Sequence, residues 1–500
     1  MKLETIPVLR LLRGASGARV ALGSLALLLS VAALCLAPLP ASDMDIWWLA
    51  AAGRAIAETH QAPVANVFSF AEPDHPWILH EGLYALVFDA GLRRMGPAFF
   101  SLFGFLGACA TAAAFLAATL GRARHLLSAA LLWGGALLGV FGHLVSPRPL
   151  YSSLLFAVVI AALAVAPRFS RRAVATAVLV ELVWTNAHGS FPLGLALLAG
   201  GATFHASDRR RRALATALAA GATLANPYGL RIYALVARYT LGSDDVSALI
   251  RAHVGGFSPI WRAPPAFVDP GVACAFAIVV AAACASLRAR ADRAQALLAL
   301  ALLFVGALQV RHLALATLVS TVLVASAVDS RFAAPAATSP TRSESVRRVG
   351  IAILAPLLAG LLAFAFARRT LPADYWVSQK VGGPAFVRLA RALPDGARAY
   401  APFATTGLLL WLDSPRGVRV LYDARNDCYS VDLVALGFGL DEGTLTRDAI
   451  RSAFDRYGVD HAILQTGGAL FAALSTSDSW TVVRQDGGWG LLARSPISAE

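Results

Sequence analysis

This chain of 500 residues is short of charge. Asp, Glu, Lys and Arg make up 15% of it, against roughly 25% in an ordinary soluble domain. Hydrophobic residues make up 57%, and the mean hydropathy is +0.63. A chain so poor in charge is not built as a water-soluble globule throughout. Cysteine is scarce too. Cys35, Cys109, Cys274, Cys284 and Cys428 are scattered, and four of them lie in apolar runs. Their spacing offers neither a zinc-ligand set nor a disulfide framework, so packing is their expected role. No phosphate-binding G-x-x-x-x-G-K-[ST] loop and no G-x-S-x-G elbow occurs. His80-Glu81-Gly82-Leu83-Tyr84 begins like H-E-x-x-H, but Tyr84 stands where the second histidine belongs. That excludes a zincin site. No repeat of fixed period is present.

Apolar runs take the place of what is missing. They fall near 20–38, 97–119, 125–145, 150–167, 173–188, 189–206, 213–226, 269–287, 294–309, 312–328 and 349–367. A bilayer crossing needs about 20 mostly apolar residues. The expectation is an α-helical polytopic membrane protein with about 11 transmembrane helices. The net charge of +13 would suit a nucleic-acid binder, but the arginines sit in short clusters between apolar runs. They are better explained as topology signals, since positive residues stay in the cytoplasm, and no nucleic-acid partner is expected. Lys2, Arg10, Arg13 and Arg19 precede the first run, which places the N-terminus inside. Strict alternation then puts Arg122 and Arg124 inside, with Arg168, Arg171 and Arg172; Arg209 to Arg212; Arg288, Arg290 and Arg293; and Arg331, Arg342, Arg347 and Arg348. If residues 78–92 crossed the bilayer, every later cluster would change sides. They are therefore expected to form an interfacial or re-entrant helix on the outer face, and 229–240 to lie along the same surface.

Composition changes near residue 370. Polar residues return with turn signals such as Pro394-Asp395-Gly396 and Asp486-Gly487-Gly488. Short β-rich runs (Val418 to Tyr422, His461 to Leu464, Trp480 to Arg484, Gly490 to Ala493) alternate with helical patterns at Thr446 to Tyr457 and Ala469 to Leu474. The expected division is a multi-span domain, 1–369, carrying a first outer loop at 39–96, and a C-terminal extracytoplasmic α/β domain, 370–500.

On this topology the polar residues that are not topology signals gather on the outer face. Asp43, Asp45, His60, His80 and Glu81 lie in the first outer loop, Arg148 in Ser146-Pro147-Arg148-Pro149, Asn186 and His188 in Trp184-Thr185-Asn186-Ala187-His188-Gly189, and Arg311 and His312 after Gln309-Val310. Short turns hold such side chains near headgroup depth, where the phosphate of a lipid-linked substrate sits. Arg148 and Arg311 suit that phosphate through charge-assisted hydrogen bonds, and equally suit anionic headgroups. The Asp43-Met44-Asp45 pair faces away from the cytoplasmic nucleotide sugars. One carboxylate there could act as general base toward an acceptor hydroxyl, the other orienting it or helping to hold a divalent cation. Trp47 and Trp48 suit interface anchoring, with stacking on a sugar as the alternative. Asp423, Arg425, Asn426 and Asp427, after an expected strand, form either a site or a strand-end turn with a salt link.

The stretch Asp43-Met44-Asp45-Ile46-Trp47-Trp48, followed by Gly53-Arg54, Pro63, Phe68-Ser69-Phe70, Trp77 and His80-Glu81, resembles the first outer loop of bacterial polytopic proteins related to the GT-C glycosyltransferases, including the protein mannosyltransferase-like group. Arg148-Pro149, Asn186-Ala187-His188-Gly189, Asn226-Pro227-Tyr228-Gly229 and Tyr422-Asp423-Ala424-Arg425 extend the resemblance over nearly the whole chain. It departs at Leu49 and Gly82, where histidine and tryptophan are common in those proteins. The resemblance implies an inner-membrane enzyme of a bacterium. It would move a sugar from a polyprenyl-phosphate or polyprenyl-diphosphate donor to a lipid, glycan or protein acceptor at the outer face, with Asp43 or Asp45 as base. A transporter or flippase, or a non-catalytic scaffold for envelope glycans, is the competing expectation.

Overall fold

The computed structural model describes residues 15–204, 208–242, 244–288, 292–332 and 338–495. Lys2, Arg10, Arg13 and Arg290, used above for topology, lie outside them. The helices in chain order are α1 (Ala15–Leu36), α2 (Asp45–Thr59), α3 (Gly82–Met95), α4 (Ala98–Ala118), α5 (Leu126–Leu144), α6 (Leu154–Ala164), α7 (Arg171–Ala187), α8 (Pro192–Phe204), α9 (Arg209–Ala222), α10 (Arg231–Leu241), α11 (Asp245–His253), α12 (Pro270–Ser286), α13 (Arg293–Leu308), α14 (Leu313–Phe332) and α15 (Arg342–Thr370). In the C-terminal part come α16 (Gly383–Ala390), β1 (Arg398–Tyr400), α17 (Phe403–Asp413), β2 (Arg419–Val420), α18 (Val431–Glu442), α19 (Arg447–Tyr457), β3 (His461–Gln465), α20 (Ala469–Ser475), β4 (Trp480–Asp486) and β5 (Trp489–Arg494).

Every apolar run singled out in the sequence is helical over most of its described residues. A lipid interior offers backbone groups no water, so they must be satisfied within the segment. By length and composition, Gly17–Leu36, Ala98–Arg122, Leu126–Leu144, Val310–Phe332 and Arg342–Thr370 suffice to cross a membrane. The apolar helices α6, α8, α12 and α13 are shorter.

Contacts divide the chain into two bodies. The first comprises the residues through Leu39, Ser101–Gly229 and Val254–Thr370. Here α1 packs along α15 and α5, and α14 lies against α5, α6, α12 and α13. The arginine-bearing turns bond to one another. The N–H groups of Arg124 and His125 donate to Asp329 at 2.7 and 2.8 Å, and Arg348 Nη1 donates to the Ala123 carbonyl at 2.6 Å. Arg212 is buried and donates to the last carbonyls of α6, 2.8 Å to Ala164 and 3.2 Å to Leu163, with its guanidinium 4.8 Å from the Phe169 ring centre. It acts as a cap as well as a charge, because the last carbonyls of a helix have no partner within it. The alternate turns pair likewise. Asn186 Nδ2 donates to the Ala225 carbonyl at 2.9 Å, and the Val310 N–H to the Ser258 carbonyl at 3.0 Å.

The second body comprises Pro40–Phe100, Leu230–His253 and Leu371–Glu500. The first outer loop and the 230–253 segment thus share their contacts with the C-terminal residues. Its sheet has the order β2-β1-β3-β5-β4. β1 pairs in parallel with β2 and β3, while β5 pairs antiparallel with β3 and β4. The first loop adds one more extended segment beside β2. The Val420 N–H donates to the Phe68 carbonyl and the Phe70 N–H to the Val420 carbonyl, at 3.0 and 3.2 Å. An otherwise open sheet edge is thereby covered. Helix α3 buries Tyr84, Ala85, Phe88, Asp89 and Leu92 against α2 and neighbouring rings, and exposes Leu83, Leu86 and Val87.

Candidate functional site

Helix α2 begins at Asp45, and the acidic pair sits at this start. Asp43 Oδ1 accepts the Asp45 backbone N–H at 2.9 Å. This is the short-range turn that an aspartate side chain favours. Asp45 Oδ1 accepts the indole N–H of Trp48 at 3.2 Å. Both carboxylates are only partly buried. Asp43 is oriented by the Asp45 N–H and Asp45 by the Trp48 indole, and the first turn of a helix favours negative charge.

What lies beneath the pair is packed tightly. Trp47 is 0% exposed and Trp48 6%. The Trp47 ring stands edge-on to Phe100 at 5.1 Å and tilted against Trp411 at 5.6 Å, and Trp48 contacts Trp77 at 6.2 Å. These indoles fill the protein interior, in place of the interface anchoring or sugar stacking expected of them. A side chain on Gly407 of α17 would strike the Met44 carbonyl, and one on Gly53 would strike the Ala85 carbonyl of α3. Glycine is needed at both because helix backbones approach closely there. Arg54 donates to the Trp411 carbonyl at 3.0 Å and lies 3.8 Å from Asp89, which also pairs with Arg93. The motif around the acids is thus a rigid seat.

His80 and Glu81 precede α3. Their Nε2 and Oε1 atoms are 3.7 Å apart, and the His80 ring lies 6.1 Å from that of Tyr239. An imidazole and a carboxylate side by side are donors a divalent metal accepts. Two such donors fit part of a cation site.

The remaining expected site residues belong to the first body. Arg148 starts the turn before α6, its N–H 3.4 Å from Ser146 Oγ. Asn186 Nδ2 donates to the Leu182 and Ala225 carbonyls, both at 2.9 Å, which makes it a tie at the end of α7. His188 Nδ1 lies 2.7 Å from Ser190 Oγ, and that oxygen also accepts the Trp184 indole N–H at 3.1 Å. The Arg311 guanidinium lies over the Phe257 ring at 3.7 Å, and its Nε donates to His312 Nε2 at 3.2 Å. Arg311 and His312 are thus brought together, as are Asn186 and His188 within one turn.

The Asp423 to Asp427 stretch resolves as the salt link. Asp423 and Arg425 are both fully buried, with Arg425 Nε 2.9 Å from Asp423 Oδ1 and Nη2 2.6 Å from Oδ2. Burial alone would weaken the guanidinium's hold on its proton; the Asp423 carboxylate reverses that and holds it firmly charged. Arg425 also donates to Asn66 Oδ1 at 2.7 Å and lies between Trp77 and Phe68, 4.4 and 4.9 Å from their ring centres. Tyr429 donates to Asp423 at 2.8 Å. The Ser430 N–H donates to Glu72 at 2.8 Å, and the Ser430 hydroxyl bonds the same carboxylate. The first-loop residues Asn66, Phe68, Glu72 and Trp77 are therefore a joint to the C-terminal residues. The sequence marked Phe68 and Trp77 but gave no signal for Asn66 or Glu72.

A scan with protein-family models gave no match, and a search of curated protein sequences gave none either. The fold, with its many apolar helices, structured first loop and small C-terminal sheet, is nevertheless GT-C-like, being similar to solved structures. Among solved structures, ArnT from Cupriavidus metallidurans bound to undecaprenyl phosphate is similar to this chain over 97% of its length and 99% of ArnT, at 14% identity and a TM-score of 0.53. ArnT in the apo state gives 13% identity, 96% and 98% coverage and a TM-score of 0.53. The Archaeoglobus fulgidus oligosaccharyltransferase, crystallised with zinc and sulfate, gives 12% identity, 92% and 70% coverage and a TM-score of 0.48.

Proposed function

We propose that this protein is a membrane glycosyltransferase that takes a sugar from a polyprenyl-phosphate or polyprenyl-diphosphate donor. It passes the sugar to a lipid, glycan or protein acceptor at the outer face of a bacterial inner membrane. The observation that carries this reading is the GT-C fold matched over almost the full length of both chains, with an acidic pair seated in its first loop. ArnT was crystallised with undecaprenyl phosphate, which supports a lipid-linked donor here. Sidedness follows the arginine-bearing turns, which bond to one another and carry the charge that stays in the cytoplasm.

In the reaction, the acceptor hydroxyl oxygen attacks the anomeric carbon from the face opposite the lipid phosphate. The carbon–oxygen bond to that phosphate breaks, and the phosphate leaves with the electron pair. The acceptor proton passes to a carboxylate of the Asp43–Asp45 pair, and the anomeric configuration inverts. The Trp48 indole and the Asp45 N–H hold the two carboxylates in fixed orientations before substrate arrives, which lowers the entropic cost of reaching the transition state. In the first body, Arg148 and Arg311 would take the phosphate and Asn186, His188 and His312 would bind substrate; in the second body, His80 and Glu81 would bind substrate. A divalent cation, if bound, would be held by Asp43, Asp45, His80 or Glu81 and would add positive charge near the leaving phosphate.

The test is glycolipid profiling of a deletion strain complemented with wild type, Asp43→Asn or Asp45→Asn. At least one single substitution should lower product about 100-fold or more, the scale of a lost general base, while the protein inserts normally. Full product from both single variants and the double variant would remove the base from the acidic pair. Unchanged glycolipids on deletion, with substrate counterflow in proteoliposomes, would favour a transporter instead.

A further inference from the structure

Before α12 begins, the chain makes two short helical turns, Gly255–Phe257 and Pro265–Phe267. The residues after the first turn are clasped to the end of α13 by two backbone hydrogen bonds. The Val310 N–H donates to the Ser258 carbonyl at 3.0 Å, and the Ile260 N–H donates to the Ala307 carbonyl at 2.9 Å. A side chain on Gly255 would strike the Phe267 ring, so the two turns also pack on each other. This clasp fixes Phe257 beside Arg311. All of these residues belong to the first body.

Arg311 is held in two ways. Its guanidinium carbon lies 3.7 Å from the centre of the Phe257 ring, well inside the range of about 6 Å over which a ring face attracts a cation. Its Nε–H donates to His312 Nε2 at 3.2 Å. A guanidinium has donors and no acceptor, so His312 Nε2 must present its lone pair and the ring proton must sit on Nδ1. His312 is therefore a neutral acceptor for its neighbour. With Nε committed, an anion meets Arg311 through the edge formed by the two Nη groups, a donor pair that suits two phosphate oxygens. A long side chain loses rotamer freedom when it grips an anion, and one already held loses less.

We propose that Phe257 and His312 are positioning residues for Arg311. The ring sets the plane of the guanidinium, the imidazole sets its turn within that plane, and the Nη edge is thereby aimed at a phosphate. The proposal rests on the reading of Arg311 as a partner of the lipid phosphate. It gives His312 its part in substrate binding through Arg311, and it adds Phe257, which no motif in the sequence marked.

Two measurements on full-length protein in detergent test it. The first needs no substrate. Phenylglyoxal, which condenses with guanidinium nitrogens, is added, and modification of Arg311 is followed by peptide mass. A guanidinium that is held reacts only when it comes away. Phe257→Leu should raise the rate about fivefold, the scale of a cation–ring contact. His312→Leu should raise it about tenfold, the scale of one hydrogen bond to a charged group. His312→Gln keeps an acceptor near the place of Nε2 and should label like wild type, which a merely loosened fold would not do. Unchanged labelling in either Phe257→Leu or His312→Leu overturns the proposal, as does a rate in His312→Gln as high as in His312→Leu. The second measurement is the affinity for undecaprenyl phosphate. It should fall several-fold in Phe257→Leu and in His312→Leu, and no further when either is added to Arg311→Ala, because both act through Arg311. A further fall in that background overturns the proposal. Normal affinity in Arg311→Ala with the expected labelling pattern would keep Phe257 and His312 as positioning residues and take the phosphate away from Arg311, so the two readings fail separately.

Discussion

In the second body Asp423 and Arg425 lie fully buried and answer each other, with Tyr429, Asn66 and two aromatic rings completing the set. In the first body Glu181, near the middle of α7, is also fully buried, yet neither carboxyl oxygen has a hydrogen-bond partner among the described residues. Trp184 lies beside it, and Gly194 of α8 leaves it room; a side chain there would collide with the carboxyl. Arg212 shows that the first body can satisfy a buried charge, with helix-end carbonyls instead of an acid. The contrast separates two meanings of a buried ionisable residue. One held by an opposite charge is architecture, and its removal leaves the partner stranded. An unpartnered one carries a desolvation cost that an apolar residue would not.

Four substitutions would break or sharpen this comparison. Arg425→Ala should cost about 3–5 kcal/mol, because it strands Asp423 in the interior. Thermal melts in detergent would read it as a large fall in midpoint, and Asp423→Leu combined with Arg425→Met should recover most of the loss. A midpoint unchanged by Arg425→Ala would end the claim that this pair is a joint. Arg212→Ala should cost about 1–3 kcal/mol through the carbonyls it leaves without donors, measured the same way. Glu181→Leu should stay within about 1 kcal/mol of wild type or stabilise the protein. A loss as large as that of Arg425→Ala would show that Glu181 has a binding role after all.

The smallest effect concerns pH. Burial pushes the Asp427 carboxyl up to about 6, above the value of about 3.9 for a free aspartate. The folded state therefore holds more protons than the unfolded state between those values. The stability this group contributes is complete below about pH 4 and is lost as pH rises through about 6. Melts recorded across that window should show a shallower slope in Asp427→Asn. An identical slope would mean that the carboxyl does not titrate there.

Much of the helical part was legible because lipid imposes a strict rule on the backbone. The run 269–287 became Pro270–Ser286, opened by an Asp269 side chain that caps Gly271 and Val272, with proline in first place. The run 294–309 became Arg293–Leu308. The strands near His461, Trp480 and Gly490 and the helix after Thr446 also stand where the β-rich runs and the helical pattern put them. Strand β1 escaped notice because its three residues, Arg398 to Tyr400, are too few to show a period. Its place at the centre of the parallel pairing comes only from β2 and β3 on either side. Of the site, the Asp43–Asp45 spacing and the His80–Glu81 dipeptide were plain to see. Which neighbours orient them was not. Trp48 was expected at the membrane interface and proved to be a buried donor to Asp45.

By itself the sequence determined a membrane-embedded helical protein, the positions of its apolar helices and the clustering of arginine in alternate turns. Those properties depend on residues within a few positions of one another. Only the tertiary structure decided that the Tyr422-Asp423-Ala424-Arg425 stretch is a structural joint. Asn66 and Arg425 are 359 positions apart, and no local period carries information over that distance. Their meeting is fixed when burial leaves a guanidinium no water and only one set of oxygens and rings to satisfy it.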